Sequence, residues 1–79
     1  MTVEQRLQGA FREALGLAAD ADFEGLAYRT TPGWDSVAHM QLVNAIEAAF
    51  GIMLETDDVI GLSSYPVARG LLGKYGVAG

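Results

Sequence analysis

The chain has 79 residues, no cysteine, and 10 acidic against 5 basic side chains for a formal net charge of -5. That length allows one domain with one modest core, since so short a chain buries only about 60% of its unfolded surface. Without thiols, disulfides, thiolate metal sites and cysteine nucleophiles are excluded, and the acidic balance argues against nucleic acid and anionic membranes, whose phosphates need Lys and Arg opposite them. Half the residues are hydrophobic, yet no apolar run approaches the roughly 20 residues of a membrane span and no basic-then-apolar leader opens the chain. The expectation is a soluble, cytoplasmic, monomeric protein whose partners carry basic surfaces.

Val3, Leu7, Phe11 and Leu15 recur every fourth position, which aligns them on one stripe of a helix from Val3 to Leu15. Thr2 and Gln5 fit a capping box at its start, and Gly16 fits the left-handed stop at its end. From Leu17 to Trp34 the periodicity disappears, and Thr30, Thr31, Pro32 and Gly33 form a turn cluster. Leu17, Phe23, Leu26, Tyr28 and Trp34 give this long loop the means to anchor itself to a core, so it is expected to be ordered.

A second helix is expected from Ser36 to Phe50, with Asp35 as its N-cap and Gly51 as its stop. Met40, Leu42, Val43, Ile46 and Phe50 fall on one broad arc, and Val37, Gln41, Asn44 and Glu47 or Ala48 on the other. Thr56 is placed to cap a short helix through Asp57, Asp58, Val59 and Ile60. Ser63 or Ser64, with Pro66 in the first turn, then opens a last helix whose Val67, Leu71 and Tyr75 share a stripe. The fold class is therefore all-α, a small bundle of three principal helices and one short one, in a single domain over 1–79.

Chemistry is concentrated where the turn Pro32-Gly33-Trp34 delivers the chain to Asp35-Ser36 at a helix start, leaving a serine hydroxyl at the rim of the domain. Taken alone, an Asp-Ser pair before a helix is an ordinary N-cap. Asp35-Ser36-Val37, followed by a helix that closes in Ile46-Glu47-Ala48-Ala49-Phe50-Gly51-Ile52, resembles the acyl carrier protein family. The family's pattern is Asp-Ser-Leu and then an apolar helix ending in a Leu-Glu-x-x-Phe-Gly-Ile type of sequence. The likeness extends through Leu54, the Asp57-Asp58 turn and the last helix, and so covers nearly the whole chain.

The resemblance implies that Ser36 is a substrate rather than a catalyst. A phosphopantetheinyl transferase, using coenzyme A and magnesium, would link 4'-phosphopantetheine to it through a phosphodiester, with Asp35 helping the modifying enzyme to recognise the site. The terminal thiol of the arm would then tether acyl or aminoacyl intermediates as thioesters, in fatty acid or specialised metabolism, loaded by a ligase or synthase and passed to downstream acyl-processing or transfer enzymes. Trp34 and Val37 depart from the commonest fatty-acid carriers, which have a small residue and Leu there, and the outward face Val37, Gln41, Asn44, Glu47 is nearly uncharged, so docking should rely less on charge. The alternative is a noncovalent helical interaction subunit that keeps the carrier fold without using Ser36.

His39, three residues after Ser36, would need an orienting acid, an oxyanion hole and a cleft to act as a base, and a lone histidine makes no zinc site. It sits on the same side as Leu42, Val43 and Ile46, either as a hydrogen-bonded core histidine or, with Leu42 and Ile46, at the entrance for a cargo lodged among Leu7, Leu42, Ile46, Phe50 and Leu71. Trp34 is read either as a lid on the core or as a partner contact.

Overall fold

The computed structural model describes residues 2–18 and 20–77, and within them the chain forms four α-helices. These are α1 (Val3–Leu15), α2 (Ser36–Phe50), α3 (Thr56–Gly61) and α4 (Tyr65–Lys74), with one 3₁₀ turn, Phe23–Gly25, in the loop before α2. No strand occurs among the described residues, where an isolated bridge between Ala27 and Ser64 is the one β-type contact. Among the described residues no helix is long and apolar enough to cross a membrane.

The two long helices begin and end where local chemistry allows. Thr2 Oγ1 accepts from the Gln5 amide at 3.1 Å and Gln5 Oε1 accepts from the Thr2 amide at 2.9 Å, closing the capping box of α1. Gly16 and Gly51 stop α1 and α2 in the left-handed region, at φ 65° and 66°, where a side chain would be strained. The short helix starts differently from expectation: Glu55 occupies the N-cap of α3 without a side-chain bond, and Thr56 is already helical. Ser64 is the cap of α4, its Oγ accepting from the Val67 amide at 3.3 Å.

Leu7, Ala10, Phe11 and Leu15 of α1 pack mainly against Ala38, His39, Leu42, Val43 and Ile46 of α2. Met40, expected on the packing arc, is 52% exposed because that stripe is centred between His39 and Ile46 and leaves it one position off the edge. In α4 the buried stripe is Tyr65, Ala68 and Leu72, not Val67, Leu71 and Tyr75. The helix is rotated by one residue, about 100°, from expectation, because the ring of Tyr65, its first residue, is the largest apolar body it has to bury.

Three fully buried rings from three different segments meet at the centre. Phe11 of α1 stands edge-on to Trp34 of the loop at 5.6 Å between centroids and to Tyr65 of α4 at 5.1 Å. Such pairs add about 0.5–1.5 kcal/mol each beyond area burial. A buried tyrosine hydroxyl also needs an acceptor, and Tyr65 donates to Glu4 Oε1 at 2.7 Å. Arg69 bridges Glu4 at 3.1 Å and Glu24 at 3.0 Å, tying α4 to α1 and to the 3₁₀ turn. These exposed pairs add little individually.

Burial first, and the Glu4 carboxylate second, push the Tyr65 hydroxyl up to about 12. A group raised in the folded state contributes stability that is complete below its unfolded value, near 10, and is lost as pH rises through its folded value. Denaturant unfolding of Tyr65→Phe across the alkaline range is therefore expected to show a shallower loss of stability between those two pH values than the parent chain. At neutral pH the variant should be less stable by about 0.5–1.5 kcal/mol, the net contribution of one hydrogen bond.

Candidate functional site

The loop before α2 is built backwards from Trp34, which is 2% exposed although it lies in a connecting segment. The loop folds on itself around Ala27: the Thr31 amide donates to Ala27 O at 3.0 Å, and the Ala27 amide donates to Thr31 Oγ1 at 2.9 Å. The Trp34 amide donates to Thr31 O at 3.1 Å, and the Tyr28 amide donates to Ser63 O at 2.8 Å, strapping the loop to the link before α4. Gly33, at φ 86°, turns the chain toward the helix.

Asp35 follows as N-cap of α2, its Oδ1 accepting from the Ala38 amide at 2.9 Å. Ser36 is the first helical residue and is exposed. Trp34 faces the core and Ser36 faces outward, so a two-residue step carries the chain from a buried anchor to a presented hydroxyl. Beside that hydroxyl lies an open groove of about 450 Å³, lined by Tyr28, Arg29, Pro32, Trp34 and Asp35 together with Ser36 itself.

His39 lies behind this rim with both ring nitrogens bonded. The Trp34 indole N–H, a donor only, reaches His39 Nδ1 at 3.1 Å, so Nδ1 is the acceptor and Nε2 carries the proton that meets Val59 O at 2.8 Å. His39 therefore joins the loop anchor to α3, a helix with no buried residue of its own. The second tether of α3 is Asp58, which accepts from Lys74 Nζ at 2.8 Å and from the Tyr75 hydroxyl. These two donors hold the Asp58 carboxyl below its ordinary range, so their contribution is present above the unfolded carboxylate value and fades as pH falls through the folded one.

The remaining expected site residues divide between surface and interior. Val37, 68% exposed, lies outward with Gln41 and Asn44. Glu47, placed on that face by its periodicity, is half-buried, and its Oε2 accepts from the Leu54 amide at 2.8 Å, clamping the segment after α2. Leu42 and Ile46 are buried in the core with Leu7, whereas Phe50 and Leu71 are only partly buried against it. Neither His39, Leu42 nor Ile46 lines any of three surface clefts of about 400–580 Å³.

Two features were not singled out in the sequence. Arg29 adopts φ 73°, the one left-handed non-glycine among the described residues, and its guanidinium lies 5.5 Å from the Tyr28 ring centroid on the groove wall. Its signal was available, since it is the sole basic residue between Arg12 and Arg69 and adjoins the turn cluster before Asp35. Met40, 52% exposed, lies one turn along α2 from Val37, and Ile60, 75% exposed, lies on the α3 helix that His39 bonds. Among the described residues no cluster of His, Asp or Glu is arranged to hold a metal ion.

Comparison of the chain with protein-family models, with curated proteins and with solved structures returned no match.

Replacing Trp34 by Phe keeps most of the buried ring but leaves His39 Nδ1 without its donor. A loss of at least about 1–3 kcal/mol in denaturant unfolding is expected, the cost of a stranded buried acceptor. In the parent chain, ¹⁵N NMR of His39 should show an unprotonated Nδ1 and a protonated Nε2, and the Trp34 indole proton should exchange slowly with solvent. Fast indole exchange in the parent would contradict the buried pair.

Proposed function

We propose that the chain is an acyl carrier protein that receives 4'-phosphopantetheine on Ser36. The observation that carries this reading is the exposed Ser36 hydroxyl at the first residue of α2, on the lip of a groove, held out by the Asp35 cap and the buried Trp34. Attachment of such an arm requires an accessible hydroxyl, space alongside it and a backbone that does not swing away. Ser36, the groove and the bonded loop meet these requirements. The resemblance of Asp35-Ser36-Val37 and of the segment Ile46 to Ile52 to carrier sequences supports the same reading, and Glu47 and Gly51 within the second segment close α2 and fix the chain beyond it.

In this account Ser36 Oγ gives up its proton to a base of the transferase and forms a bond to phosphorus as the diphosphate bond of coenzyme A breaks and adenosine 3',5'-bisphosphate leaves. The exposed helix start favours that step because its free amides and positive end suit a nearby phosphate. Once bound, the arm supplies a terminal thiol that holds acyl or aminoacyl groups as thioesters, chemistry this cysteine-free chain lacks. Asp35 serves recognition at the modification site and orders the first turn.

Partners of this reading are the phosphopantetheinyl transferase, a loading ligase or synthase, and downstream acyl-processing or transfer enzymes, all acting in the cytoplasm. They would dock on Val37, Gln41 and Asn44, with Met40 and Ile60 widening the apolar part of the surface. Cargo that entered the bundle among Leu7, Leu42 and Ile46 would have to part side chains that are already buried against one another. Short or polar cargo, which gains little from burial at about 0.8 kcal/mol per methylene, suits this interior best.

Incubation with a broad-specificity transferase, coenzyme A and magnesium is expected to add one phosphopantetheine to the intact mass, and Ser36→Ala is expected to abolish the addition. A folded chain that gains no mass would favour the noncovalent interaction subunit, for which the exposed Val37, Met40 and Ile60 already offer a surface. With the carrier reading upheld, Val37→Asp should weaken loading by the roughly 1 kcal/mol or more of an interface hot spot while the helical content stays constant.

A further inference from the structure

We infer that Arg29 is the seat for the phosphodiester attached to Ser36, a role that rests on the carrier reading above. The chain carries -5 overall, and a phosphodiester on Ser36 adds one more negative charge directly beside the Asp35 carboxylate. Within the lining of the groove next to Ser36, Arg29 is the sole cation.

The other basic side chains lie outside this groove, and three of them are bonded elsewhere. Arg69 pairs with Glu4 and Glu24, and Lys74 pairs with Asp58 and Glu55. Arg6 donates to Ala49 O and lies over Phe50, and Arg12 lies over the Phe23 ring. Among the described residues Arg29 has no carboxylate within ion-pair distance, and its contact is the face of Tyr28, which leaves its donors available. A guanidinium offers paired N–H groups that match two oxygens of a phosphate.

At φ 73° a glycine would sit without strain, whereas an arginine is disfavoured there. Local backbone preference therefore disfavours a side chain at this position, which lies on the wall of the groove. Replacing Arg29 by Gly also becomes an unusually clean test, because it removes the guanidinium while relieving the backbone rather than stressing it.

The test uses the full chain, labelled with ¹⁵N, before and after loading with transferase and coenzyme A. In the parent chain, loading should shift the Arg29 Nε–H signal and the amides of Tyr28 to Thr31, and added salt should reduce those shifts. In Arg29→Gly the chain should remain folded and accept the arm, its loop amides should no longer respond to loading, and the ³¹P signal should move from its position in the parent. Arg29→Lys, which keeps the charge without the fork, should restore part of the response. Inorganic phosphate added to the unloaded parent should leave these signals in place.

The same ³¹P position and equal loading-induced shifts of the loop amides in the parent and in Arg29→Gly would overturn the inference and leave the carrier reading standing. Equal shifts with inorganic phosphate would also overturn it, making Arg29 a general anion site rather than a seat for the tethered group. If Ser36 accepts no arm at all, the carrier reading fails and this role falls with it.

Discussion

The burial of Trp34 is the constraint on which the rest of the arrangement depends. An indole in a connecting loop becomes 2% exposed by standing against Phe11, and its N–H, removed from water, must find an acceptor. His39 Nδ1 supplies one, which leaves the other ring nitrogen to carry the proton and meet Val59 O. One buried hydrogen bond thus sets the end of the long loop, the tautomer of the histidine and the attachment of α3. It also sets where Ser36 emerges, since only Asp35 intervenes between the anchor and the serine. A presented hydroxyl needs a backbone that stays in place, and here the aromatic core supplies it.

The same economy governs charge. Most basic side chains of this acidic protein close gaps between segments, as Arg69 does between α4, α1 and the 3₁₀ turn, or Lys74 between α4 and α3. Surface pairs of this kind contribute little each, but they leave few cations uncommitted. Apolar surface follows a parallel division. The rings at the centre fill the space between the helices, while Val37, Met40, Met53 and Ile60 remain outside. A chain organised this way presents its uncommitted groups at its surface, while its interior holds the loop.

Much of the fold was legible because short-range chemistry decided it. The capping box of Thr2 and Gln5, the Asp35 cap and the stops at Gly16 and Gly51 are local devices, and both long helices begin and end on them. The ordered loop was legible from its apolar residues, of which Phe23, Leu26 and Trp34 are buried. What escaped was set by distant partners. The face of α4 turned by one residue because Tyr65 finds Phe11, Phe23 and Glu4, none of which its own neighbourhood announces. Glu47 has the spacing of an outward residue but bends to the Leu54 amide. The position of Ser36 could be read from Asp35 and the turn before it, whereas the groove beside it and the left-handed Arg29 exist only once the loop has folded back on Ala27.

The central claim is that Ser36 is the point at which this chain is covalently charged for its work. The most direct measurement is tandem mass spectrometry of the protein isolated from its native cells, with the modified residue located by fragmentation. The account predicts a 4'-phosphopantetheine group, free or acylated, on Ser36. A folded chain in which Ser36 is unmodified throughout, in cells whose other carrier proteins are loaded, would contradict it.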